Sequence, residues 1–205
     1  MTAQPNQSLG HALTCLVGLT DAGGPVGSRE LARRLGMEHT RVNRLLGTLA
    51  DLGLAERDAE RKYRPGPGIH GLAAGALRGS GLLQAALPEI RALHAAGMGV
   101  ALGLLWLGRV VYLYHGRPQG ALEDNLAAHV PWDPERSSIG KVLTTGATHA
   151  TVTGSLAVPI GSPAVAGLAA LTGDLAALPM LTAAAARIAA RLAHPHITHL
   201  PNADA

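Results

Sequence analysis

Apolar residues in the first fifty positions recur at intervals of three and four, the spacing of helices that bury one face. Leu9, Ala12, Leu13, Leu16 and Val17 form the first such stripe. It predicts a helix from Ser8, as N-cap, to about Ala22, ended by Gly23-Gly24-Pro25. A short second helix is predicted over Arg29–Leu35, capped by Ser28, buried through Leu31, Ala32 and Leu35, and closed by Gly36. The third runs from about Glu38 to Leu52, with Val42, Leu45, Leu46, Leu49 and Leu52 as its inward stripe. His39, Thr40, Arg41, Asn43, Arg44, Gly47 and Thr48 are left pointing outward.

The pattern then changes. Leu54–Arg57 and Lys62–Pro65 read as short strands around the polar turn Asp58-Ala59-Glu60-Arg61, a hairpin directly after the third helix. Gly66-Pro67-Gly68 breaks the chain, and a helical stretch over Ile69–Leu77 leads to a second break at Gly79-Ser80-Gly81. Beyond it we expect a helix over Leu82–Ala96, strands over Val100–Leu107 and Arg109–His115, and a short helix over Ser138–Thr145. Strands over Ser155–Ile160 and Ala164–Thr172 and an Ala-rich helix over Leu178–Leu192 complete the set. Helix, antiparallel strands and a returning helix describe an α+β domain. The expected organisation is a winged helix-turn-helix over 1–66, a linker helix over 67–81, a second domain over 82–194 and a tail over 195–205.

Composition narrows the class. With 47% hydrophobic residues the 205-residue chain can bury real cores, and the absence of Phe leaves Leu, Ala and Val to build them. Apolar runs such as Val100–Leu107 are shorter than the roughly 20 residues a bilayer requires. Met1 to Ser8 carry no export signal, and the single Cys15 among apolar neighbours fits a reducing compartment. The expectation is a cytoplasmic protein without membrane contact. Residues 1–80 hold ten basic side chains against seven acids, and the remainder seven of each, so all of the +3 net charge lies in the N-terminal part. That placement suits a polyanionic partner.

Two helices around a tight turn at Gly36-Met37, followed by a hairpin wing, form the helix-turn-helix pattern of proteins that read double-stranded DNA. Arg pairs bidentately with guanine and Asn with adenine in the major groove, so Arg41 and Asn43 are the candidate base readers, with Arg44 and Thr48 bracing the backbone. His39 and Thr40 stand near the helix N-terminus, where backbone N–H groups favour phosphate. Ser28 and Arg29 at the start of the second helix and Arg61 and Lys62 in the wing complete the candidate set. The competing reading is a solvated helix on which Arg41 and Arg44 pair with Glu38 or Asp51. Two such domains would meet half-sites about one helical turn apart, and the first helix and the Ile69–Leu77 segment offer apolar faces for pairing. Those faces can equally be core.

No nucleophile elbow, phosphate loop or Cys-x-x-Cys pair is present, which argues against an enzyme. His194, His196 and His199 have only Asp204 nearby and Pro195 among them, so they read as tail; no metal or cofactor is expected.

These residues resemble the IclR family of bacterial transcription regulators. The resemblance rests on Gln7–Leu13, Ser28–Gly36, Thr40–Leu49 with Leu52-Gly53-Leu54, and Tyr63–Pro67, with Pro65 standing where the family more often has an aliphatic residue. In the second half it rests on Arg109–Tyr112, Pro131, Ser138–Lys141, Leu156–Pro159 and Gly167–Gly173. The resemblance implies a GAF- or PAS-like effector-binding domain, here shortened because the helical insertion usual in the family is missing between Thr145 and Thr151. It also implies a homodimer or homotetramer on a DNA operator, a repressor controlled by a small organic acid or aromatic metabolite. Ser138, Gly140, Ser155 and Thr172 are the implied effector residues: Gly140 through amides at a helix start, Ser155 and Thr172 through strand hydroxyls. Ordinary hydroxyls satisfying strand backbone is the alternative for these last two. Two other functions stay open, a second domain that only oligomerises and a protein-binding adaptor that makes no use of DNA.

Overall fold

The computed structural model describes residues 6–119, 123–126 and 132–193. Pro131, the histidines at 194, 196 and 199, and the expected tail fall outside them. The chain separates into two compact units, residues 1–79 and 80–205.

The first unit holds α1 (Gln7–Asp21), α2 (Ser28–Leu35), α3 (His39–Asp51), the strands β1 (Ala55–Arg57) and β2 (Tyr63–Pro65), and α4 (Gly68–Arg78). Helix α1 is capped two residues before expectation, by Asn6: the Asn6 Oδ1 accepts from the amides of Ser8 at 3.0 Å and Leu9 at 3.2 Å. Asn6 and Ser8 are equally good caps by chemistry, and composition alone does not rank them. Helix α2 is also displaced, with Gly27 as N-cap and Ser28 already helical. Gly36 ends it at φ +62°, in the left-handed region that glycine enters at no steric cost, and the Met37 amide bonds back to the Ala32 carbonyl at 3.0 Å. That stop lets Glu38 cap α3 two residues later.

Cys15, Leu19, Leu31, Val42, Leu46, Leu49, Ala55 and Tyr63 meet in the first core. Burial raises the pKa of the Cys15 thiol. Leu52, expected on the inward stripe, is 66% exposed because α3 ends at Asp51 and the chain turns away before it. Strands β1 and β2 pair antiparallel, Ala55 opposite Pro65 and Arg57 opposite Tyr63. Val26, read from the sequence as a connector, joins them through two backbone bonds of 2.8 Å to Tyr63.

The second unit holds α5 (Gly81–Ala95), β3 (Val100–Trp106), β4 (Arg109–Gly116), α6 (Ser138–Thr145), β5 (Ala150–Val152), β6 (Ser155–Ile160), β7 (Ala166–Ala170) and α7 (Leu178–Ala193). Its strands form one antiparallel sheet in the order β4-β3-β7-β6-β5. Leucines, isoleucines and valines of β3, β6 and β7 meet α5 and α7 on one face, while Ala101, Ala157 and Ala169 meet Ile139 and Val142 of α6 on the other. The chain is therefore α+β, a helical winged unit followed by a five-stranded antiparallel unit. Strand β5 has three residues, too few for its alternation to register as a period.

Helix α7, with the short turn before it, forms a 19-residue apolar run, Leu175–Ala193, long enough by length and composition to cross a bilayer. This corrects the expectation that every apolar run is too short. Leu181, Ala184, Ala185 and Ile188 are buried against the sheet and α5, so its apolarity serves the core of this unit.

Candidate nucleic-acid interface and ligand cavity

The turn between α2 and α3 brings the first side chains of both helices together. Ser28, freed of the capping role expected for it, places its Oγ 3.1 Å from the His39 Nε2. The Glu38 carboxylate accepts from the amides of Thr40 and Arg41, both at 2.7 Å, and these bonds, Thr40 first, hold its pKa below the ordinary value. The amides expected to favour a phosphate beside His39 and Thr40 are thus occupied by the chain's own acid. The hydroxyl of the exposed Thr48 donates back to the Arg44 carbonyl at 3.2 Å.

The cations divide sharply. Glu30 holds both Arg33 and Arg34 at 2.8 Å, and the hydrogen bonds from Arg33 and then Arg34 lower its pKa to about 2. Arg64 pairs with Glu56 at 2.8 Å, and Arg57 lies over the Tyr63 ring, 5.4 Å from its centroid. Among the described residues, Arg29, Arg41, Arg44, Arg61 and Lys62 make no ion pair. The pairing of Arg41 or Arg44 with Glu38 or Asp51, the solvated-helix reading, does not form. Lys62 and Arg61 sit at the wing tip, which Asp58 closes by accepting the Lys62 amide at 2.7 Å.

In the second unit the alanines on the α6 side of the sheet leave room for a cavity of about 300 Å³, within the range of small-molecule sites. Ala101, Ile139, Val152, Ala169 and Leu171 give it an apolar wall. Tyr112, His115, Arg117, Trp132, Arg136 and the serines 137, 138 and 155 supply the polar groups. Among the described residues Arg117, Arg136 and His115 line it and no Asp or Glu does, a lining that favours an anion. Arg136 is stacked over Trp132 at 5.5 Å.

Of the four residues implied for an effector, Ser138 and Ser155 line this cavity, their hydroxyls 3.0 Å apart. Ser155 donates its one proton to the Ala170 carbonyl at 3.2 Å, so Ser138 must donate to Ser155. Neither proton is left for a carboxylate; Ser138 offers an acceptor instead. Gly140 does not line the cavity: its amide donates to Ser137 Oγ at 3.1 Å, and a Cβ there would overlap the backbone of Pro134. Thr172 does not line it either, and its hydroxyl accepts the Asp174 amide at 3.2 Å. His115, Arg117, Trp132 and Arg136 carried no periodic or motif signal, since the sheet and two irregular segments bring them together from separate stretches.

The first unit is a winged helix-turn-helix, and the second is an α+β domain that holds a ligand-sized cavity. Residues 8–59 match the IclR helix-turn-helix domain. A search of curated protein sequences finds no match. Among solved structures, the chain is similar to an IclR family transcriptional regulator from Brucella abortus, at 18% identity and a TM-score of 0.77, covering 93% of this chain and 94% of that one. A regulator from Alicyclobacillus acidocaldarius matches at 20% identity and a TM-score of 0.66, covering 92% and 99%. An IclR homolog from Microbacterium hydrocarbonoxydans, complexed with 4-hydroxybenzoate, matches at 19% identity and a TM-score of 0.57, covering 89% and 99%. Residues 8–59 thus match the helix-turn-helix domain of the IclR family, and the chain as a whole shares the fold of these solved regulators.

Proposed function

We propose that the chain is a sequence-specific DNA-binding repressor, working in the cytoplasm as a homodimer or homotetramer, whose operator affinity responds to a small organic acid or aromatic metabolite. The observation that carries the DNA reading is the division of cations. Among the described residues of the first unit, Arg29, Arg41, Arg44, Arg61 and Lys62, on α2, α3 and the wing, have no acid partner, whereas Arg33, Arg34 and Arg64 are neutralised within the unit. Ser28, His39, Thr40, Asn43 and Thr48 complete the proposed interface. Pairing of chains is supported by apolar side chains left in solvent: Leu9 of α1 is 61% exposed, and Leu72 and Leu77 of α4 are 62% and 54% exposed.

The test is a titration of labelled duplexes from the protein's own upstream region, with competitor DNA. Specific binding is expected, weakened by about 1–3 kcal/mol in Arg41→Ala. Weak, sequence-blind binding that neither Arg41→Ala nor Arg44→Ala alters would move the chain to the adaptor reading.

The lining cations Arg117 and Arg136, with His115, suit a carboxylate, and Trp132 and the alanine wall suit an apolar or aromatic body. Binding would shift the population of DNA-competent chains, an effect linked through the α4 segment. Calorimetry with a panel of small carboxylates and their matched amides is expected to find saturable binding that prefers the acid. Arg136→Ala should lower that affinity about tenfold, the order of a charged hydrogen bond. If no panel member binds saturably, the second unit serves only to oligomerise.

A further inference from the structure

Arg41 and Arg44 do not only face outward from α3. With Gln7, Ser8, His11 and Leu45 they line a small cleft of about 90 Å³ between α3 and the start of α1. No carboxylate lines this cleft, and neither arginine has an ion pair among the described residues. Glu38, the acid next to Arg41 in space and sequence, is held on the amides of Thr40 and Arg41. The cleft has room for a small tetrahedral anion.

Helical geometry sets this cleft apart from the base-reading surface. Arg41 and Asn43 stand one residue to either side of the buried Val42, so at about 100° per residue they diverge to opposite flanks of α3. Arg44 follows Arg41 by three residues, about 60° further round the helix, and lies beside Thr40 between the flanks while still lining the cleft. Thr40 and Gly47 lie between the flanks, and space beside Gly47 is open, with nothing within 4 Å of where a Cβ would stand.

Building on the DNA-binding reading above, we infer that Arg41 and Arg44, with Ser8, Gln7 and His11 of α1, form the seat of one backbone phosphate of duplex DNA. The Thr40, Asn43 and Gly47 face is then left to read bases. Arg41 becomes a residue that fixes register and affinity, because phosphates carry no sequence information.

The experiment uses the full chain and a duplex pool with a randomised core. Single methylphosphonates, which remove one phosphate charge, are then scanned along the selected duplex. Wild type is expected to lose about tenfold in affinity at one phosphate per half-site, the order of a charge-assisted hydrogen bond. Arg41→Ala should show that loss on the unmodified duplex and no further loss at that phosphate. Its log-log salt slope should fall by about 1 per contact. Ser8→Asp, in the first turn of α1 where an acid suits the helix, sets a carboxylate in the cleft and should weaken selected and random duplexes by the same factor. In both variants the selected bases should stay the same. The phosphate seat is overturned if Arg41→Ala changes the base chosen at a position, or if no phosphate is coupled to Arg41. A wild-type chain that binds no duplex at all would instead sink the DNA-binding reading, and the seat with it.

Discussion

Leu46→Ala is expected to unfold the first unit while leaving the second intact. Leu46 is fully buried on α3, between Leu19 and Leu31 on the neighbouring helices and the wing residues Ala55 and Tyr63 in one core. Truncating a buried leucine costs about 2–5 kcal/mol, the lost transfer free energy plus the cavity left behind. A unit of this small size buries too little surface to absorb that loss. Both tryptophans, Trp106 and Trp132, belong to the second unit, so their emission reports that unit alone, while circular dichroism sees the helices of both. In urea, the variant should show an early helical loss by dichroism and an unchanged tryptophan transition, with DNA binding gone. A tryptophan transition that moved with the dichroism would mean that the two units unfold as one.

The second large effect lies between α5 and α7. Glu89, with its side chain 6% exposed, is held by Arg187 and Arg191, each at 2.8 Å, and Arg191 also donates to the Ala85 carbonyl at 2.9 Å. Removing both arginines strands a buried carboxylate, which costs about 3–5 kcal/mol; because the arginines are roughly half exposed, the lower end applies. The pH dependence separates charge from packing. The Arg187 hydrogen bond, the largest cause, keeps the Glu89 pKa below its ordinary value in the folded chain. Its stabilisation is therefore present above the unfolded carboxylate pKa and is lost as pH falls through the folded one. In Arg187→Ala/Arg191→Ala the stranded carboxylate favours its neutral form, so the pKa should rise and the penalty should grow as pH rises. Urea midpoints followed by tryptophan emission should differ most at pH 7 and converge towards pH 4. A difference that is constant with pH would show that lost packing, not the buried charge, is responsible.

Much of the DNA-facing half was legible in the residues because its structure is local. Helical periodicity depends only on neighbours within two turns, so Val42, Leu46 and Leu49 identify the buried face of α3 without knowledge of what covers it. Turn chemistry is local too: Gly36 and the Asp58–Lys62 wing tip announce themselves through the backbone conformations they allow. The same holds for strand β6 and helix α6, whose observed limits, Ser155–Ile160 and Ser138–Thr145, are those the pattern predicts.

Choices among equivalent partners were not legible. Asn6 and Ser8 can both cap α1, Ser28 can cap α2 or meet His39, and Glu38 can pair with an arginine or with bare amides. Each is settled by which groups packing brings within 3 Å. The cavity is the strongest case. Ala101 and Ala169 read as ordinary strand residues, yet being small on one face of the sheet they open the space that Arg117, Trp132 and Arg136 surround. Periodicity along the chain decided which residues turn inward and which helices form. Only the three-dimensional fold decided which distant side chains share a site and which arginines keep their charge unpaired, because those depend on distances through space that no local spacing encodes.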